Sequence, residues 1–135
     1  MPRRNIEEEH QIALIKWARY SVEQYPQLAL LHSSLNGVKL SQGLAVKAKR
    51  GGMLAGVWDL FLPVPKPDKI MYVEGHPCIC THNANGLYIE MKTKTGRLTE
   101  SQKWFRNQLQ EYYRFEVVRD WRDGRDFLVE YLENV

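Results

Sequence analysis

Between Leu87 and Lys92 the side chains alternate without exception: Leu87, Ile89 and Met91 are apolar, and Tyr88, Glu90 and Lys92 fill the places between them. A period of two predicts a β-strand over about 87–93 whose two faces differ in kind. A few residues on, in "LTESQKWFRNQLQEYY" (98–113), the period becomes helical. Phe105, Leu109 and Tyr112 form one stripe, and Thr99 with Gln102 matches the Thr-x-x-Gln capping box. A strand feeding a capped helix over so short a run calls for a fold in which helices cover a sheet.

The rest of the chain fits that frame. Residues 5–24 predict an amphipathic helix with Leu14, Ile15, Ala18 and Val22 on one face, acids Glu7–Glu9 at its positive end and Pro26 closing it. "LALLHSS" (28–34) and "AGVWDLFLPV" (55–64) predict strands, the second closed by Pro63 and Pro65. The segment 39–50 between them reads as a basic loop. Residues 65–85 are rich in turn formers and predict an inserted loop or hairpin with short strands of its own. "FEVVR" (115–119) is a strand and "DGRDFLVEYLENV" a closing helix, with Phe127, Leu128 and Leu132 inward. The expected fold is therefore α/β, a central mixed β-sheet flanked by helices in the order α-β-β-β-α-β-α. A length of 135 residues suits one domain over 1–135.

Charge adds a direction. The net charge is only +3, but no acid occurs between Glu23 and Asp59, where Lys39, Lys47, Lys49 and Arg50 stand among small polar residues. Clustered cations of this kind suit a phosphate backbone. No apolar run reaches membrane-spanning length, and the basic start lacks the apolar stretch of a signal peptide. The two cysteines, Cys78 and Cys80, lie too close together to staple a fold, which favours a reducing compartment.

The residues with chemistry to explain are three. Asp59 interrupts the apolar run Val57-Trp58-Asp59-Leu60-Phe61-Leu62, where a charge is costly without a partner. If its strand neighbours the one carrying Glu90, the two carboxylates converge and repel, and a divalent cation relieves that repulsion. Lys92 projects to the same side. Two acids and a lysine so placed are the layout for metal-assisted hydrolysis of a phosphodiester.

With these residues in view, the sequence resembles the PD-(D/E)XK nucleases, and within them the stand-alone VRR-NUC family. The resemblance spans "EEEHQ", "GVWD", "IEMKTKTGRLTESQ" and "VVR" at 117–119. It implies a restriction-endonuclease-like fold and a Mg²⁺- or Mn²⁺-dependent endonuclease acting on branched DNA. It also implies a homodimer that cuts four-way (Holliday) junctions, in the cytoplasm of a bacterium or bacterial host cell. Asp59 and Glu90 would ligate the metal together with the backbone carbonyl of Met91. Lys92 would be the catalytic lysine, Gln102 would approach from the second helix, and an acid of the first helix would complete the site. Lys39, Lys47, Lys49, Arg50, Lys94 and Arg97 would hold phosphates.

Three features depart from the family pattern: Trp58 stands where a Pro is usual, the gap from Asp59 to Glu90 is long, and the first helix offers several acids. Helical spacing puts Glu7 and Gln11 on the face of Leu14 and Ala18, with Glu8 at the margin, so Glu7 is the choice and Glu8 the reserve.

Other chemistries have less support. In "HPCICTH" the ligand types His76, Cys78, Cys80 and His82 would spread along one extended strand, interrupted by Pro77, which argues against a structural zinc. No Gly-x-Ser-x-Gly or phosphate-binding glycine loop is present, so no nucleotide cofactor is expected. A non-catalytic nucleic-acid-binding module on the same scaffold is the alternative from another class. The same chemistry on flaps, single strands or linear duplex is the alternative within it.

Overall fold

An apolar stripe on the first helix sets the inner face of the molecule. The computed structural model describes residues 5–36, 38–66, 69–80 and 84–133, with 69–72 and 78–80 described by backbone alone. Helix α1 is Ile6–Tyr20, capped by the Asn5 side chain, and it buries Leu14 and Ala18 completely. It stops short of the expected residue 24. Pro26 does not close α1 but opens a 3₁₀ turn, Pro26–Leu30, a place that suits its fixed φ. Leu28 and Leu31, three apart, both reach the core, which is the spacing a 3₁₀ turn brings to one side. The strand expected over 28–34 is accordingly reduced to β1, His32–Ser33.

The basic segment is not a loop. Helix α2, Gln42–Arg50, is capped by Ser41 and buries none of its residues. The strand expected over 55–64 is likewise only β2, Leu60–Leu62, because a turn at Gly56 and a bend at Asp59 precede it. Gly56 holds φ +90, and a Cβ there would collide with the Ser101 backbone. Gly56→Ala is therefore expected to destabilise the protein by about 2–4 kcal/mol, from left-handed strain and overpacking together. A urea melt measures it, and a cost below about 0.5 kcal/mol would contradict the close approach.

Past an isolated bridge between Lys66 and Ala84, the 65–85 segment forms a two-stranded hairpin, β3 (Lys69–Val73) against β4 (His76–Cys80). Its turn residues Glu74 and Gly75 both have positive φ, the requirement of a tight two-residue hairpin turn. Pro77 does not interrupt β4: in a two-stranded ribbon each strand has a free edge where a missing N–H is tolerated.

Strand β5 (Leu87–Met91), helix α3 (Glu100–Leu109), β6 (Arg114–Val118) and α4 (Trp121–Glu133) complete the chain. The main sheet runs β1-β2-β5-β6, antiparallel except for the parallel pair β5–β6 that α3 connects. Pairing of Leu60 with Ile89 and Leu62 with Leu87 sends these side chains to one core with Leu14, Ala18, Leu128 and Tyr131. At Gly124 of α4 the lack of a Cβ lets Leu14 approach, since a Cβ would lie 2.8 Å from Leu14 Cδ2. The opposite face is aromatic: Tyr88 stacks on Phe61 at 4.4 Å and on Phe115 at 5.1 Å, and meets Phe105 of α3 edge-on at 5.2 Å. A mixed sheet between helices is the architecture expected, with α2 added to the expected order and the expected 65–85 insertion formed as a hairpin.

Candidate active site

The register β2–β5 brings Asp59 beside Glu90. One step past the ladder, the Asp59 N–H donates to Glu90 Oε1 at 3.2 Å, and the Met91 N–H donates to Asp59 Oδ2 at 2.9 Å. Each backbone thus fastens the carboxylate of the other segment, and the two carboxyls stand close enough to act on one another. Glu90 is only 3% exposed. Burial first, and the Asp59 charge second, push its carboxyl up to about 8. Asp59 is raised as well, by burial first, against the lowering effect of the Met91 hydrogen bond.

Two groups brace Glu90. Lys92 Nζ lies 3.7 Å from Oε2 with its side chain 11% exposed. Gln102 Nε2 donates to the same oxygen at 3.0 Å. The capping box explains why the amide faces that way. Gln102 Oε1 accepts from the Thr99 N–H at 2.9 Å, and the Gln102 N–H donates to Thr99 Oγ1 at 3.2 Å, so the NH₂ end is the one left for Glu90. Gln102 therefore caps α3 and contacts Glu90 at once. Trp58 Nε1 donates to the Gln102 carbonyl at 3.1 Å and its ring meets Phe115 edge-on. Trp58 thus locks the start of α3 against the sheet.

Asp59 opens onto a cleft of about 420 Å³ whose walls include Glu7, Glu8, Gln11, Asn36 and Lys39. Glu7 stands close enough for its charge to raise Asp59. Both acids weighed on the first helix thus reach the cleft, while Glu9 is not part of its wall. Lys39 lines it too, but Lys47, Lys49 and Arg50 lie on the exposed α2. Lys94 and Arg97 are exposed in the turn between β5 and α3.

Two residues without an assigned role shape the site. Asn36 Nδ2 donates to the Leu54 and Val57 carbonyls at 3.1 and 3.0 Å, tying the cleft wall to the approach to Asp59. Arg119 Nη1 reaches the carbonyls of Thr93, Lys94 and Gly96 at 2.6, 3.3 and 2.8 Å, a clamp on the turn that follows Lys92. "VVR" hinted at Arg119, whereas Asn36 before Gly37 reads as an ordinary turn residue.

Oxygen donors dominate this corner, which suits a hard divalent cation. Among the described residues no three His, Cys, Asp or Glu side chains form a metal-holding group. A cation here would take two carboxylates, with the remaining positions left to backbone carbonyl and water. Of the zinc candidates, His76 lies exposed on β4, the side chains of Cys78 and Cys80 are not described, and His82 lies outside the described residues.

The helix-flanked mixed sheet is consistent with the restriction-endonuclease-like fold that the sequence resemblance implies. No family model matches the sequence, and no curated protein matches it. A solved structure described as a "VRR_NUC domain protein" superposes with a TM-score of 0.67 and 22% identity, covering 98% of this chain and 93% of that one. At that identity the likeness is one of fold: this chain has the fold of a VRR_NUC domain protein.

Proposed function

We propose that this protein is a divalent-cation-dependent DNA endonuclease of the VRR-NUC type, cutting branched DNA and four-way junctions in particular. The observation that carries the reading is the buried Asp59–Glu90 pair with Lys92 at 3.7 Å, beside a cleft that Glu7 also lines. Two acids driven together out of water are poorly placed for stability alone and well placed to hold a cation. Mg²⁺ or Mn²⁺ bound there would supply Lewis acidity, offsetting phosphate charge and lowering the pKa of water. The chain's own groups do the rest. Gln102 and the Asp59 N–H fix Glu90, and the Met91 N–H fixes Asp59. Lys92 offers an ammonium to orient the attacking water and to offset the charge that builds on the phosphoryl oxygens. Water attacks in line as the P–O3′ bond breaks; the proton that water loses passes to solvent and the departing 3′ oxygen takes one up from solvent, leaving a 5′-phosphate and a 3′-hydroxyl. Symmetric cutting of a junction requires two such sites about a twofold axis, hence a homodimer.

The test uses labelled junction, flap and duplex DNA with Mg²⁺, Mn²⁺ or EDTA. Wild type is expected to cut the junction with either metal, and Lys92→Ala to cut about 10²–10³-fold more slowly. Binding without cutting under every metal would favour a non-catalytic module. Cutting of flaps but not junctions would reassign the substrate. Equal rates for wild type and Lys92→Ala would remove the lysine from the chemistry.

A further inference from the structure

From the exposure of α2 we infer that this helix is a DNA-binding arm that lies along a duplex flanking the reacting phosphate. The inference rests on the nuclease reading for its orientation and for the choice of nucleic acid over membrane as occupant. Helix α2 buries none of its residues, so the core does not account for it. A helix this short is marginal in water on its own. Its ends are nonetheless closed, by the Ser41 side chain on the Leu44 N–H at 3.3 Å and by the Gly51 N–H on the Lys47 carbonyl at 3.0 Å. What it displays is cationic: Lys47, Lys49 and Arg50 crowd its last turn, and no acid occurs from residue 24 to residue 58 to neutralise them.

The arm is also continuous with the cleft. Val38 and Lys39, just ahead of α2, line the same cavity as Asp59 and Glu7. Helix α2 therefore starts shortly after the cleft wall, with its cations in the far turn. The acids repel phosphate unless a cation intervenes, so cations on an adjoining helix are needed to bring the backbone near. At about 1.5 Å per residue α2 spans about 13 Å, or about four base-pair steps. The occupant that matches this length and charge is a DNA duplex, and its flanking arm should matter to binding. Exposed Leu44 and Val46 also allow an anionic membrane as occupant. Continuity with an acidic catalytic cleft favours the nucleic acid.

The experiment is DNA binding by fluorescence anisotropy in EDTA, which separates binding from cutting. Neutralising Lys47, Lys49 and Arg50 to Gln is expected to flatten the log–log salt dependence by about 3. Between about 50 and 200 mM salt, wild type should then lose about 40-fold more affinity than the variant. A charge-matched control altered at Lys16, Lys103 and Arg122, on α1, α3 and α4, should shift the slope by less than about 1. Shortening the duplex arm should weaken wild type but not the triple variant. An unchanged slope, a control that behaves like the triple variant, or additive losses on shortening the arm would overturn the inference. So would sedimentation of wild type, but not the variant, with phosphatidylserine vesicles in place of DNA. A protein that binds through α2 yet leaves every DNA intact with Mg²⁺ or Mn²⁺ sinks the nuclease reading and keeps this one. A protein that cuts, while its triple variant keeps the wild-type slope, does the reverse.

Discussion

Asp59→Asn is expected to abolish DNA cleavage and, at the same time, to stabilise the metal-free protein at pH 8. The two effects share one origin. Asp59 Oδ2 accepts the Met91 N–H at 2.9 Å, and an Asn side-chain oxygen can accept it equally well. The amide NH₂ then stands where a carboxylate oxygen faced Glu90 and can donate to it, so the like charge disappears. Relieving that repulsion is worth on the order of 1 kcal/mol, or about 3–5 °C in Tm for a chain of this size. On the proposed mechanism cleavage needs the charge that the substitution removes, because a neutral amide is a poor ligand for a hard cation. Loss of at least about 10²–10³-fold in rate is expected. Paired melts in EDTA and cleavage assays in Mn²⁺ read both quantities from one preparation. A variant that is less stable than wild type and still cuts would show that Asp59 is a structural acid. Gain in one quantity with loss in the other is what separates a functional charge from a packing residue.

The parts of this site that were legible in the sequence are those governed by local chemistry. Alternation from Leu87 to Lys92 placed Glu90 and Lys92 on one face, and Thr-x-x-Gln located the start of α3 within a residue. Both signals depend on neighbours in the chain, so neither needed the tertiary structure. What failed depended on contacts made from far away. The run 55–64 is apolar enough for a strand, yet Ser101 of α3 presses on Gly56 and Trp58 Nε1 reaches the Gln102 carbonyl, and these contacts bend the chain just before β2. Helix α2 was missed for a different reason. Its polar and basic composition resembles a loop, its apolar residues do not face a core, and only its end caps mark it as helical. Glu7 lies between these cases. Helical spacing gave its face, but its approach to Asp59 depends on how α1 crosses the sheet, which the packing of Leu14 against Gly124 helps to fix.

Without divalent cation, stability should fall as pH rises from about 5 to 8, and Mn²⁺ should offset most of the fall. The sign follows from Glu90. Its carboxyl is near 4.5 in the unfolded chain and about 8 in the folded one, so the native state holds a proton that the unfolded state has released. More protons bound to the folded form means that unfolding becomes easier with every pH unit across that interval, by roughly 1.4 kcal/mol per unit at most. Asp59, also raised, acts in the same direction. Asp120 is shifted the other way, lowered first by its hydrogen bond from the Arg122 N–H, but its effect is lost only below the ordinary carboxylate range. Raised tyrosines, Tyr131 at about 12 among them, act above the window. A cation competes with the proton for the same oxygens, so its stabilisation should grow with pH, reaching about 2.7 kcal/mol at a hundredfold excess over Kd. Urea melts at pH 5 and pH 8, each in EDTA and in Mn²⁺, give the four numbers required. In Asp59→Asn the metal-free decline should shrink and the Mn²⁺ effect should vanish. A flat profile in the wild type would mean that Glu90 ionises as freely in the fold as outside it, and the site would then lack the charge imbalance that calls for a metal.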